Sequence, residues 1–165
     1  MTSGSLTLTP VRPGSPWSAA QLQPFQNKLQ KSSSLESTLT VLSDLDDTSK
    51  RRVDILEHFV GDLTRLMRHS APAVRDLAHS LVMRYVRHDP SSSSQFLNVF
   101  LQCMDSEDQD VVNAALRNLP EFAVLAQEHA VTILQKAFLV SISSKVDATN
   151  TLTETLQLLN MEAVQ

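Results

Sequence analysis

The 165-residue sequence is 42% hydrophobic and 19% charged with a net charge of −4, which fits about one globular domain. Only 5% of it is aromatic and it has three glycines, so the composition disfavours a sheet with tight turns and favours helices. The single cysteine, Cys103, excludes a disulfide framework or multi-cysteine zinc site, and no apolar run approaches the roughly 20 residues of a membrane-spanning helix.

The first 33 residues are rich in Ser, Pro and Gln and have no sustained hydrophobic period. We predict a flexible arm over 1–33, because such a composition buries too little apolar surface to fold alone. Thr9 and Ser15 each precede a proline and are candidate phosphorylation sites, although such dipeptides are common in ordinary disordered tails. Trp17 and Phe25 are the large aromatic residues of the arm, and either could dock on a partner or on the body of the protein.

A possible enzyme motif follows the arm. Residues 33–36 (SSLE) fit a capping box and predict a short helix over about 35–45. Residues 44–48 (DLDDT) match the nucleophile motif of haloacid-dehalogenase-type phosphatases, in which Asp44 would take the phosphoryl group, Asp46 would act as general acid/base and Mg²⁺ would neutralise the phosphate. That motif belongs at the end of a buried strand, whereas the preceding residues are typical of a helix. We therefore favour an acidic loop over an enzyme site.

The strongest repeat signal lies at residues 70–82, where a polar turn and Pro72 precede apolar residues spaced by four. Such spacing stacks side chains on one face of a helix. The first copy of this register is Val74, Ala78 and Val82. It returns 37 residues later as Val111, Ala115 and Leu119, and after a further 37 residues, more weakly, as Ala148, Leu152 and Leu156. A fixed period in this range is typical of a two-helix solenoid repeat.

This period predicts three helical hairpins, at about 51–88, 92–127 and 130–163, within a repeat domain over 34–165. Asp89-Pro90 should end the first hairpin. Pro120 should break the second helix of the second hairpin and leave a short helix beyond it, because proline removes a backbone donor and clashes with the preceding turn.

The last predicted hairpin carries more apolar residues than one buried face needs. In its first helix, over 130–142, we expect four residues to face inward, namely Ile133, Leu134, Ala137 and Phe138. Its second helix has apolar residues on two sides, namely Leu152, Leu156 and Leu159, and Leu158 and Met161. Terminal solenoid repeats need a polar outer face for solubility. We therefore expect a partner or a second copy to cover this end, or the chain to be a piece of a larger protein, and we predict that Leu158 and Met161 contact proteins.

Three further candidate protein-contact residues lie on the helix after Pro72. Met83 is predicted to project towards its polar side. Arg75 and Arg84 belong to an arginine stripe that could bind RNA or an acidic peptide, and its members are Arg65, Arg68, Arg75, Arg84 and Arg87. We favour a solvated face, because no aromatic residues interleave to stack bases. Residues 50–88 carry eight Lys or Arg against four Asp or Glu, but 89–165 carry three against ten, so no direct contact with nucleic acid is expected.

No pattern in the sequence indicates a cofactor or a metal. The five histidines give no pair at metal-ligand spacing, and His58 and His79 are predicted to lie on polar helix faces. There is no Gly-rich phosphate loop, and Cys103 belongs to a largely apolar helix, where a packed thiol is expected. We therefore predict no catalytic residue, no cofactor and no metal site.

Two resemblances extend this interpretation. Residues 72–78 (PAVRDLA) resemble the second helix of HEAT repeats, which favours a Val-Arg step followed by a small residue. The run over 44–130 more specifically resembles the C-terminal region of the Integrator complex subunit 1 family. That resemblance implies a long nuclear scaffold, in a complex that binds RNA polymerase II, cleaves nascent transcripts and matures the 3′ ends of small nuclear RNAs. Because the endonuclease of that complex is another subunit, it implies assembly and no catalytic residue.

We therefore expect an all-α, HEAT/armadillo-like α-solenoid that binds other Integrator subunits, and through them RNA polymerase II, in the nucleus. The chain is far shorter than the family's full chains, so we expect a fragment or partial gene model. An unrelated HEAT/armadillo-type adaptor is the first alternative, and a Mg²⁺-dependent phosphatase using Asp44 and Asp46 is the second. Direct RNA binding through the arginine stripe is the weakest alternative, and no membrane partner is expected.

Overall fold

The computed structural model describes residues 16–31, 34–143 and 147–164, and these form eight α-helices joined by turns and 3₁₀ segments. No strand occurs within these ranges, so the predicted all-α solenoid is confirmed. The helices are α1 (Ala19–Lys31), α2 (Leu35–Arg51), α3 (Val60–Leu66), α4 (Pro72–His88), α5 (Ser93–Met104), α6 (Gln109–Leu125), α7 (Ala130–Ile142) and α8 (Thr149–Val164). The 3₁₀ segments are Val53–Phe59, Pro90–Ser92 and Gln127–His129.

The helices stack in two layers. Helices α2, α4, α6 and α8 lie side by side in one layer, and α3, α5 and α7 pack against them in the second. Each successive hairpin therefore covers the apolar face of its neighbour, as in a solenoid. The pairs α3–α4, α5–α6 and α7–α8 lie close to the predicted hairpins, and the single repeat domain over 34–165 stays a prediction.

The 37-residue register forms the core of the first layer. The first two copies, on α4 and α6, are buried throughout. In the third copy Ala148 is buried, Leu152 is half-buried and Leu156 is 55% exposed. Burial declines along this copy because α8 packs on α6 and α7 and has no further helix beyond it within the described ranges.

The prediction of a flexible arm is wrong over residues 19–31, which form α1. Leu22, Phe25 and Leu29 are spaced by three and four and are buried. The ring of Phe25 meets that of Phe59 edge to face, with 6.0 Å between centroids. A short apolar stripe is enough to form this helix because α2 and the 3₁₀ segment Val53–Phe59 cover it. The candidate sites Thr9 and Ser15 lie outside the described residues.

Trp17 fastens the chain just before α1 to the body of the protein. Its indole Nε1 donates a hydrogen bond to Asp54 Oδ2 at 3.1 Å, and the guanidinium carbon of Arg52 lies 4.5 Å from the ring centroid. Arg52 also forms an ion pair with Asp54. The indole is thus held by a charged acceptor at its edge and a cation over its face.

Replacing Trp17 by alanine is expected to destabilise α1 locally by about 1–2 kcal/mol, because the variant loses a hydrogen bond to a charged group and a cation–π contact. Hydrogen exchange should become faster at amides of α1 and stay unchanged at amides of α5. Trp17→Phe keeps a ring but loses the donor, so its exchange rates in α1 should lie between those of the native chain and of Trp17→Ala. Unchanged protection of α1 in Trp17→Ala would show that the indole does not hold this helix.

Two helix boundaries differ from the prediction. The first half of the hairpin predicted over 51–88 is not one continuous α-helix but the 3₁₀ segment Val53–Phe59 followed by α3. Helix α6 continues without interruption past Pro120 to Leu125, so the predicted break there is wrong. Proline removes one hydrogen bond, but α6 buries nine of its side chains between neighbouring helices, and this packing outweighs the loss.

Candidate protein-interaction surface

Two of the predicted contact residues are buried. Met83 is 1% exposed, so the prediction that it projects towards a polar side is wrong. Helix α4 packs on α2, α3 and α6, which leaves little of its surface in solvent. Arg75 is 3% exposed, and its Nη1 donates hydrogen bonds to the carbonyl oxygens of His69 at 3.0 Å and Ser70 at 3.4 Å. This arginine satisfies backbone acceptors in the turn after α3 rather than facing a partner.

Arg84 joins α4 to α2. Its Nη1 donates to Asp46 Oδ1 at 2.7 Å and to the buried Ser49 Oγ at 2.6 Å, and Lys50 Nζ lies 2.9 Å from Asp46 Oδ2. Partial burial raises the pKa of Asp46, but hydrogen bonds from Lys50 and Arg84 outweigh it and hold that pKa below its usual value. Arg84 is therefore occupied within the fold.

The phosphatase motif does not have the geometry of a phosphatase site. Asp44 and Asp46 lie within α2 and not at the end of a strand, Asp44 is exposed, and Asp46 is held by Arg84. The Thr48 hydroxyl donates to the backbone carbonyl of Asp44 at 2.8 Å, as threonines inside helices do. The acidic loop predicted for these residues is also wrong, because α2 extends to Arg51.

The described part of the chain contains neither a cluster of metal ligands nor a membrane-spanning helix. No three His, Cys, Asp or Glu side chains there converge closely enough to hold a metal ion. None of the described helices combines the length and the hydropathy needed to cross a bilayer. Cys103 is buried as predicted, and burial raises the pKa of its thiol to about 11, so it is protonated at neutral pH.

Exposed apolar side chains are concentrated on the last two helices. Among the described residues, Leu35 on α2 is the only large exposed apolar side chain elsewhere. Those on α7 and α8 are between 55 and 69% exposed, and they are Val131, Phe138, Leu139, Ile142, Leu156 and Met161. Large apolar side chains gathered on one part of a surface often mark an interaction site. The predicted contact residue Met161 belongs to this set, whereas Leu158 is half-buried.

Three of these residues form one line along α7, which we call the α7 stripe: Val131, Phe138 and Ile142. Spacings of seven and four place them on the same face of the helix. A small groove lies between α7 and the end of α5. Lys136 and Leu139 line it from α7, and Met104 and Asp105 line it from the end of α5. At 100° per residue, the α7 stripe lies about a third of a turn from the side of α7 that lines this groove. It also lies roughly opposite the buried face of α7, formed by Ile133, Ala137 and Val140, and in the described ranges no further helix follows α7 in the second layer.

The α7 stripe was missed by sequence reasoning. Phe138 was expected to face inward with Ile133 and Ala137, but it is 57% exposed while the other two are buried. A helix that is apolar on most sides gives no periodic signal for its buried face. The position of the neighbouring helices decides it here, and that position is not encoded in the sequence of α7 alone.

Comparison with known proteins connects these helices to one family. A family model described as Integrator complex subunit 1, R4 domain, matches residues 26–127. The chain is similar to Integrator complex subunit 1 of Homo sapiens, 43% identical over 162 residues, and of Mus musculus, 40% identical over 162 residues, in each case 98% of this chain. It is 36% identical over 115 residues, 68% of this chain, to that of Drosophila melanogaster. It spans 7% of the mammalian relatives and 6% of the fly relative.

Proposed function

Because the chain belongs to the Integrator complex subunit 1 family, we propose that it is a non-catalytic scaffold segment that binds other Integrator subunits. The α7 stripe is the observation that carries this proposal. It presents three large apolar side chains on a helix held in place by two layers of packing. Its mechanism is binding: a partner covers the stripe and removes apolar surface from water, while the stacked hairpins keep the surface in one shape.

The wider role follows from the family membership. We propose that the segment acts in the nucleus and supports small nuclear RNA 3′-end processing and termination of transcription by RNA polymerase II. Its contact with the polymerase would be indirect, through the other subunits. The family assignment argues against an unrelated HEAT/armadillo-type adaptor, since relatives at 36–43% identity share one name.

The test is a pull-down from nuclear extract with the tagged chain, read by quantitative mass spectrometry. We expect Integrator subunits to be recovered with the native sequence and to fall at least fivefold with Phe138→Ser/Ile142→Ser. Two buried anchors in an interface are each worth about 1 kcal/mol or more, which is enough for such a loss. RNA polymerase II should appear only where the Integrator subunits do.

The matched control is Leu35→Ser, which removes an exposed apolar side chain from α2, outside α7 and α8. It should leave the recovery unchanged. Circular dichroism should show the same helix content in all three proteins, since the replaced residues are exposed. If the three proteins recover Integrator subunits equally, the α7 stripe is not the binding surface. If the native sequence recovers none, the scaffold role itself is refuted.

A further inference from the structure

A second surface, separate from the α7 stripe, lies between α3 and α5. It is an open groove of about 510 Å³ lined by Thr64, Arg65, Arg68, Val99 and Gln102. Among the described side chains that line it, none is acidic. In a chain whose net charge is −4, two arginines along a groove without a carboxylate form a local region of opposite charge.

The polar groups of the groove mainly offer hydrogen-bond donors. Arg68 Nη1 reaches Gln102 Oε1 only at 3.5 Å, and Arg65 Nη2 reaches Asp62 Oδ1 at 3.3 Å on a surface where both side chains are partly exposed. Such long, exposed contacts are weak, so both guanidinium groups can turn towards a ligand. Because the Gln102 oxygen faces Arg68, its amide nitrogen is left as a further donor. The groove therefore suits a ligand rich in acceptors and negative charge.

Buried Arg75 strengthens this bias. It binds the carbonyl oxygens of His69 and Ser70, which are acceptors in the turn that follows α3. These two turn carbonyls carry partial negative charge, which would oppose an anion near Arg68 if no guanidinium group bound them. The groove thus keeps its positive character at the end of α3 where Arg68 lies.

The surroundings of the groove favour a peptide over a nucleic acid. One turn beyond Gln102 the chain enters an acidic segment, in which Glu107 and Asp108 precede α6, Asp110 lies in its first turn, and all three are exposed. A phosphate backbone leaving the groove would meet these carboxylates, whereas a peptide can place acidic residues on the arginines and neutral or basic ones beside the acidic segment. The groove also lacks an exposed aromatic side chain for stacking a base among its lining residues.

We propose that this groove binds an acidic peptide segment of a protein partner, with carboxylates of the segment paired to Arg65 and Arg68. A guanidinium group matches a carboxylate through two parallel hydrogen bonds, which gives direction as well as attraction. The groove shares no residue with the α7 stripe, so this proposal and the scaffold proposal can fail separately.

The test uses the full chain and a fluorescein-labelled nonapeptide with four Asp or Glu residues at one end and two Lys residues at the other. Fluorescence anisotropy at about 50 mM salt should show binding that weakens as salt is raised. Arg65→Glu/Arg68→Glu should weaken the binding at least tenfold. Lys28→Glu/Arg51→Glu changes the net charge equally at exposed positions outside the groove and should weaken it less than twofold.

Each other outcome would overturn the proposal. An equal loss in both variants would mean that net charge and not the groove attracts the peptide. A nona-uridine RNA that binds as tightly as the peptide, and depends on the same arginines, would make the groove an RNA site. Absence of peptide binding to the native chain would also refute it. If Arg65→Glu/Arg68→Glu loses helix content, Arg65→Gln/Arg68→Gln replaces it, with an expected loss of at least fivefold.

Discussion

Replacing Phe100 by alanine should lower the free energy of unfolding by about 3–5 kcal/mol, the usual loss for a fully buried phenylalanine. Phe100 is 0% exposed on α5 and stacks on Phe122 of α6, with 4.2 Å between ring centroids. Its ring also meets His79 of α4 edge to face at 5.7 Å. The substitution therefore leaves a cavity where three helices from both layers meet and removes aromatic contacts worth more than their area alone.

Urea denaturation followed by circular dichroism measures this change, and Phe138→Ala is the matched control. Phe138 is the same residue type on the neighbouring second-layer helix, but it is 57% exposed. Its replacement should change the free energy of unfolding by no more than about 0.5 kcal/mol. If Phe100→Ala cost less than about 1 kcal/mol, the two layers would not share one continuous core at this junction.

The stacked-helix architecture was predictable because its apolar register occurs three times in the sequence, at intervals of 37 residues. Each copy of the register puts apolar residues four apart after a turn. A copy with a weak pattern, such as the third, can therefore still be recognised from the other two. Helix α7 was placed correctly for a similar reason, because its predicted bounds of 130–142 agree with the structure. Repetition gives information that a single amphipathic segment lacks.

The errors in helix position come from contacts that no local pattern contains. Helix α1 has a weak sequence signal and exists because α2 and Phe59 cover Phe25. Helix α6 continues through Pro120 because its neighbours bury it on several sides. In both cases tertiary packing outweighs a local preference that was read correctly.

The candidate site was predictable only in part, because sequence spacing gives the face of a helix but not what covers it. The polar side predicted for Met83 is covered by neighbouring helices. The exposed apolar residues at the end of the chain were expected, and Met161 is among them, but Phe138 was placed on the wrong side. Asp46 shows the same limit, since only the structure reveals that Arg84 holds it across 38 residues.

His79 is the other residue whose surroundings were misjudged, and it carries the last prediction. It was expected on a polar face, but it is 2% exposed, and neither ring nitrogen has a well-formed hydrogen bond with a described residue. Burial lowers its pKa from 6.5 to about 4. The backbone of Met67 and the carboxylate of Asp76 favour the charged ring, and Arg117 and Arg75 disfavour it, but burial is the largest of these effects.

This shift makes the stability of the protein depend on pH in a defined window. Between pH 6.5 and about 4 the unfolded chain binds a proton at His79 that the folded chain does not, so stability falls as the pH falls. Each pH unit is worth about 1.4 kcal/mol, which gives a loss of about 3 kcal/mol across the window. Asp46 and Glu121, whose pKa values are lowered in the fold, add their losses only as the pH approaches the ordinary carboxylate range.

The free energy of unfolding, measured by urea titration at pH 7.0, 6.0 and 5.0, separates these contributions because Asp46 and Glu121 add little to the slope in this range. The native chain should lose about 2 kcal/mol between pH 7.0 and 5.0. His79→Leu should flatten this slope and leave stability at pH 7 equal or higher, since an apolar side chain replaces a buried ring without good partners. His58→Leu, which removes an exposed imidazole, should keep the native slope. A slope that survives in His79→Leu would show that another group takes up the proton and that the buried ring is not what makes this stack of helices sensitive to acid.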